Sequence, residues 1–302
     1  MTAGVNASPR RRPTSRWVAL VLLLIGAVGT QVVIGGAFDQ YSPTQEVQWV
    51  RSPAVVRRLA LGFDGIAADM YWIRAVQFYG STKLSNAEHK NYDFLYPLLD
   101  ITTTLDPRFK IAYRFGAILL SEGYPNGPGR PDQAITLLEK GVRQNPDRWE
   151  YSHDAGFVEY WWRQDYKAAS AWLMKASTAP NSPNWLPAVA ASMLAYGGDR
   201  TTARALWLQL AETSEHDWMR QAARRGLMQL DAEAVIDELQ PIVNRFYDKV
   251  NRFPNGWDEV VRAGLVRGIP LDPTGVPYML DPVSGAIDVA KESSLYPMRR
   301  GR

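Results

Sequence analysis

The sequence predicts an all-α fold: an α-solenoid of helix hairpins, with an apolar helix in front and a small hairpin-containing tail behind. Three observations carry this expectation. Ala134, Ala169 and Ala203 recur at steps of 35 and 34 residues. Each opens an i, i+4, i+7 row on one helix face: Ala134, Leu138 and Gly141; Ala169, Leu173 and Ala176; Ala203, Trp207 and Leu210. Pro146 and Pro180 close two of these segments, 34 residues apart. A repeat of that length cannot bury its apolar face alone, so neighbours stack and share a continuous core.

Ahead of the repeats, residues 1–16 are basic, with Arg10, Arg11, Arg12 and Arg16. Residues 17–37 (WVALVLLLIGAVGTQVVIGGA) carry no formal charge. A helix of that length rises about 30 Å, the thickness of a bilayer's hydrocarbon core. It is expected to act as an uncleaved transmembrane anchor. The arginines before it place the N-terminus in the cytoplasm and the repeats in the periplasm of a bacterial inner membrane. The rival expectation is a cleaved signal peptide with Gly35-Gly36-Ala37 at its end. Residues 38–52 read as a polar linker, and residues 53–250 as the repeat domain.

The first hairpin of that domain is expected over Ala54 to Tyr79 and Asn91 to Leu105. Gly80 stops its first helix, and Pro97 bends its second. The next pair is Phe109 to Glu122 and Asp132 to Gln144. Gly116 sits where helices approach closely, and a turn-rich GYPNGPGRP stretch lies between them. Trp149 to Trp162 pairs with Tyr166 to Ala179 across Gln164-Asp165, and Trp185 to Tyr196 with Thr201 to Thr213 across Gly197-Gly198-Asp199. Two further helices, Trp218 to Leu230 and Glu233 to Val250, close the stack, the second kinked or broken at Pro241.

Over residues 90–215 these features resemble the tetratricopeptide repeat (TPR) family. The period, the small residue opening each second helix, the bulky residue four later and the closing proline recur together. The loop at 123–131 is longer than that family's standard, and its Trp-Leu-Gly-Tyr pattern is only partly present. The runs ADMYWIRAVQFYG (68–80) and LDPRFKIAYRFGA (105–117) are also similar to uncharacterised membrane-anchored bacterial repeat proteins. The resemblance implies a protein-binding scaffold whose first helices line a concave groove.

Residues 251–302 change character, with prolines at 254, 270, 273, 277, 282 and 297. A short helix (Trp257 to Ala263) and two strands (VPYML and AIDVA) joined through Asp281-Pro282-Val283-Ser284-Gly285 are expected. The run Asp272-Pro273-Thr274-Gly275-Val276-Pro277-Tyr278 resembles the tail of type II secretion pseudopilins, which implies a link to an envelope secretion or pilus assembly.

Composition narrows the chemistry. The net charge of +3 over 302 residues gives no broad basic face, so no nucleic-acid partner is expected. Without cysteine there is no disulfide, thiolate metal site or thiol nucleophile. The sequence lacks a phosphate-binding Gly-rich loop, a His-Glu-x-x-His and a Gly-x-Ser-x-Gly. His89, His153 and His216 are scattered, and His153 and Asp154, as helical neighbours, are expected to point apart. Asp272, Asp281 and Asp288 fit turn initiation better than a calcium site. Neither a cofactor nor a metal is expected, and the protein is not expected to be an enzyme.

Eleven tryptophans and 14 tyrosines remain to be placed. About half are expected to fill seams between helices. The others, with polar neighbours, are expected to form a partner-binding groove: Lys110, Tyr113, Glu150, His153, Tyr160, Trp161, Trp185 and Tyr196. Such a groove suits an extended peptide or a helix of another protein. The alternative is a periplasmic protein that binds a glycan or lipid intermediate, or a hydrolase that uses Glu150, Asp154 and Glu159 across a closed pocket.

Overall fold

The computed structural model describes residues 21–30 and 52–298. The chain divides at Ser52 into two compact units. In the first, residues 21–30 form an exposed helix, α1. The ten described residues rise about 15 Å. Among the described residues, no helix is long and apolar enough to cross a membrane. This overturns the expected single-pass inner-membrane placement, with its cytoplasmic N-terminus and periplasmic repeats. The rest of the expected 17–37 span, the 1–16 basic segment and residues 38–51 lie outside the described residues.

The second unit is mostly helical. It runs α2 (Pro53–Leu59), α3 (Asp64–Leu84), α4 (Leu95–Leu105), α5 (Lys110–Ser121), α6 (Pro131–Gln144), α7 (Trp149–Val158), α8 (Tyr166–Ser177), α9 (Leu186–Tyr196), α10 (Arg200–Thr213), α11 (Asp217–Val250) and α12 (Trp257–Arg262). Successive helices from α3 to α11 pack on one another, and α2 packs on α4. Alternate helices also touch, α4 with α6 and α5 with α7.

The three predicted apolar rows are all buried, from Ala134 and Leu138 to Trp207 and Leu210. Small residues set the helix spacing. A Cβ on Gly116 would lie 3.0 Å from Leu99 and Leu137, and one on Gly141 3.0 Å from the Tyr113 ring. The turns before α8 and α10 are built alike. Each passes through a left-handed residue, Gln164 (φ 54) or Gly198 (φ 78). An aspartate then caps the next helix: Asp165 accepts from Ala168 N at 2.9 Å, and Asp199 from Thr202 N at 3.1 Å. Between second helices, Lys140 Nζ donates to the Asp100 carboxylate at 2.6 Å and to the hydroxyls of Thr103 (2.9 Å) and Thr104 (2.6 Å).

Several boundaries differ from expectation. The helix expected over Ala54 to Tyr79 is two helices, because Leu61 (φ 49) and Gly62 (φ 90) turn the chain left-handed between them. The second of these runs through Gly80 to Leu84. Pro97 lies in the first turn of α4 and not in the helix interior, so its missing N–H costs no intrahelical hydrogen bond. The two helices expected after residue 217 are one, α11. Pro241 lies inside it on the exposed side, and the helix continues past it.

The tail packs on the second half of α11. Ile236, Leu239 and Val243 share one buried cluster with Trp257, Val260, Tyr278, Ile287 and Leu295. Trp257 Nε1 donates to Tyr278 O at 2.7 Å, and Gln229 and Gln240 donate to the carbonyls of Leu295 (3.0 Å) and Gly285 (2.9 Å). The hairpin strands are shorter than expected: β1 (Met279–Leu280) and β2 (Ile287–Asp288) pair antiparallel, Met279 opposite Asp288 and Leu280 opposite Ile287. The tail aspartates organise turns. Asp272 Oδ1 accepts from the backbone N–H of Thr274 (2.8 Å) and Val276 (3.0 Å), while its other oxygen accepts from Ser293 Oγ. Asp281 accepts from Val283 N at 3.0 Å, and Asp288 from Val289 N at 2.8 Å.

Candidate docking face

Side chains of α5, of α7 and of Trp185, the N-cap of α9, contribute to one mixed polar and apolar face. On α5, Lys110 and Arg114 lie one turn apart and reach across to α7. Lys110 Nζ meets Glu150 Oε1 at 2.6 Å. Arg114 grips Asp154 with both arms of its guanidinium, Nη2 to Oδ1 at 3.0 Å. Glu150 and Asp154 are themselves i and i+4 on α7, so the two ion pairs form consecutive rungs. Burial alone would push both carboxyls up. The Lys110 bond and the Lys110 and Arg148 charges outweigh this at Glu150, and His153 and Arg114 do so at Asp154, so both sit below the usual carboxylate range. Each remains ionised at neutral pH and neutralises a cation of the neighbouring helix.

Apolar side chains flank these rungs. Ile111, Phe115 and Ile118 on α5 are exposed, as are Phe157 and Trp161 on the α7 side. Phe157 and Trp161 stack nearly parallel, with centroids 6.1 Å apart and an interplanar angle of 14°. Trp161 lies in a π-helical turn, Glu159–Arg163, that continues α7. Toward α9, His153 fits edge-on between Trp149 and Trp185, at 5.7 Å from each. The His153 Nδ1 and Asp154 Oδ1 atoms lie 3.1 Å apart, so these neighbours meet instead of diverging as expected. The ring and the carboxylate bend toward each other at the helix surface.

Of the expected groove residues, Lys110, Glu150, His153, Trp161 and Trp185 lie on this face. Tyr113 does not. It is fully buried between α5 and α7, its ring 5.1 Å from Tyr151 and its hydroxyl donating to Thr103 O at 3.3 Å. The row that carries Tyr113 also carries Ala112 and Gly116, which pack on neighbouring helices, so the ring points into the core. Tyr160 and Tyr196 are half-buried against the seam cluster of Ala169, Leu173 and Leu186, with Tyr160 5.9 Å from Tyr166. Arg114, Ile111, Phe115, Ile118 and Phe157 were missed. The sequence did hold a signal for them: Ile111, Phe115 and Ile118 form their own i, i+4, i+7 row beside the core row of α5.

Glu159 is buried in the π-helical turn. Arg163 Nη1 donates to its Oε1 at 3.0 Å, but Oε2 takes no hydrogen bond. Burial raises its carboxyl above the usual range, with the Arg163 charge opposing and Asp165 adding to the rise. The folded chain therefore holds this proton more tightly than the unfolded chain does. That contribution is complete below the ordinary glutamate pKa and is lost as pH rises through the folded value. Replacing Glu159 by Met removes the buried charge, while Arg163, half-exposed, returns to water. With only Arg163 reaching water, the pair's attraction returns less than the desolvation of the buried carboxylate costs. Glu159→Met is expected to stabilise the protein by about 1 kcal/mol at pH 7. Urea unfolding at pH 7 and pH 4 checks this, because the gain shrinks at the lower pH.

Among the described residues, no group of three His, Cys, Asp or Glu is placed to hold a metal ion. No family model matches the chain, and no curated protein or solved structure shows significant similarity to it.

Proposed function

We propose that α3 to α11 form a tetratricopeptide-like solenoid, and that the face built by α5, α7 and the N-cap of α9 docks an extended segment or a helix of another protein. The role is binding, without a chemical step. The observation that carries this reading is the alternation across the face. Large apolar side chains (Phe115, Phe157, Trp161, Trp185) border the Lys110–Glu150 and Arg114–Asp154 pairs. Tyr and Trp dominate the energetics of protein interfaces because they bury much area at little entropic cost. Internally paired charges leave the strip close to neutral, so a partner gains by covering apolar surface and not by displacing ions.

The same pairing argues against hydrolysis. A general acid needs a carboxyl raised toward neutrality: Glu150 and Asp154 are lowered, and Glu159, which is raised, is buried in the π-helical turn out of a substrate's reach. The cationic partners of Glu150 and Asp154 occupy the oxygens a substrate would approach.

The test is selection of a random dodecapeptide display library on the purified chain, with counter-selection on the Phe115→Ala/Trp161→Ala/Trp185→Ala triple variant. Sequences rich in apolar residues, enriched on the parent and depleted on the variant, are expected. Equal recovery on both proteins sinks the proposal.

A further inference from the structure

The apolar strip that stands outside the docking face lies on α3, the first long helix of its unit. Ala68, Ala75, Phe78 and Tyr79 of α3 are buried. On the other side, Ile66, Met70 and Ile73 are 61%, 57% and 53% exposed. Their i, i+4, i+7 spacing puts them on one face, and Phe63, 67% exposed at the N-cap, extends the row. The end helix of a stack keeps its outer face polar when that face meets only water. This one carries four large apolar side chains in line.

The charges beside the strip identify what covers it. In heptad notation Ile66 and Ile73 take d positions, Met70 takes a, and Gln77 takes the next a. Asp69 is then g and Arg74 is e. Ala68 and Ala75 fall at f, opposite the seam, and are the residues buried in the chain's own core. Asp69 and Arg74 are exposed, and neither takes an ion pair among the described residues. The Arg74 guanidinium lies 5.9 Å from the centroid of the Tyr71 ring. In a parallel, in-register helix pair, g of one helix lies beside the e five residues further along the other. Asp69 then meets Arg74 of a second copy, and two-fold symmetry makes the contact twice. An antiparallel pair sets g beside g and e beside e, bringing like charges together. A polar residue at one a position, here Gln77, fixes register in such seams.

We propose that two copies of this chain associate through a parallel, in-register pairing of α3, with Met70 and Ile73 in the seam and Asp69–Arg74 ion pairs along both edges. The interface is self-complementary, as two-fold dimers require. It is independent of the docking-face reading, since none of its residues belongs to that face.

Sedimentation equilibrium on the purified full chain tests it. The parent is expected to be dimeric. Met70→Glu is expected to weaken association by roughly a hundredfold, since two charges would enter the seam unpaired. Its circular dichroism is expected to stay unchanged, because Met70 is exposed within the subunit. Asp69→Arg and Arg74→Asp are each expected to weaken the dimer, and the double variant to restore it. The chain has no cysteine of its own, so Met70→Cys and Ile73→Cys report geometry cleanly. Both are expected to give disulfide-linked dimers on mild oxidation. An antiparallel pair centred on Met70 would leave position 73 unlinked and would overturn the parallel arrangement. A monomeric parent overturns the proposal. So does a dimer that survives Met70→Glu, including one held by the apolar residues 17–37.

Discussion

Replacing Tyr113 by alanine is expected to cost about 4 kcal/mol, the range for emptying the site of a buried aromatic. The ring is wholly inaccessible and lies 5.1 Å from the Tyr151 ring. It is also one of the groups against which Gly141 packs, at 3.0 Å from where a Cβ would stand. Truncation therefore opens a cavity where α5, α6 and α7 meet, and rigid neighbours cannot close it. Tyr113→Phe keeps the volume and loses one hydrogen bond to the Thr103 carbonyl. About 1 kcal/mol is expected there. Urea unfolding of the two variants separates the outcomes. A near-neutral Tyr113→Ala would place the ring on the surface, as the sequence first suggested.

Gly226→Ala is expected to cost about 3 kcal/mol, although alanine is the better helix former by about 1 kcal/mol. A Cβ there would lie 2.5 Å from Cε2 of Trp207 and 2.8 Å from two further indole atoms. Trp207 is 6% exposed and packed between α10 and α11 with Leu194, Leu210 and Ala223. A rigid bicyclic ring in that setting has no free side to move toward, so α10 and α11 must separate. Trp207→Leu alone is also expected to destabilise, by about 3 kcal/mol. Combined with Gly226→Ala, the two losses are expected to sum to clearly less than their total, because leucine vacates the space the new methyl needs. Strict additivity in thermal unfolding would show that the glycine does not set this helix spacing.

Both predictions bear on what the sequence could say. The repeating rows beginning at Ala134, Ala169 and Ala203 were legible because periodic burial leaves a periodic trace, and all three rows lie in the core. The turn signals at Gln164-Asp165 and Gly198-Asp199 were legible for a similar reason, since an N-cap aspartate follows a left-handed residue in both. Three features were not. The break at Leu61 depends on a leucine taking a positive φ, which propensity argues against. The continuity of α11 past Pro241 depends on that proline facing solvent, where its missing hydrogen bond is least costly. The direction of Tyr113 depends on which of two overlapping rows of α5 faces the core. Tyr113 and Phe115 are two residues apart, one buried and one exposed, and an aromatic is at home in either place.

The face itself was half legible. Lys110, Glu150, His153, Trp161 and Trp185 were named from residue type and from their place on the inferred first helices. The pairing that organises them was not visible, because Lys110 meets Glu150 and Arg114 meets Asp154 from different helices across the long 123–131 loop. That loop lengthens the first period, so partners forty residues apart fall outside the 34-residue step. The contact between His153 and Asp154 was misjudged for a different reason: adjacent Cβ atoms diverge on a helix, but these two side chains are long enough to converge.

α5, α7 and the N-cap of α9 are expected to offer one continuous surface to a partner. Isothermal titration of a peptide selected on the parent chain tests this most directly, measured in parallel against Phe115→Ala, Trp161→Ala, Trp185→Ala and Val283→Ser. Val283 is 85% exposed in the tail hairpin loop and serves as the distant control. Each of the three alanine variants is expected to weaken binding by at least roughly tenfold, as for aromatic anchors at interfaces, with Val283→Ser unchanged. Full affinity in all three alanine variants, or a loss confined to Val283→Ser, would contradict the account.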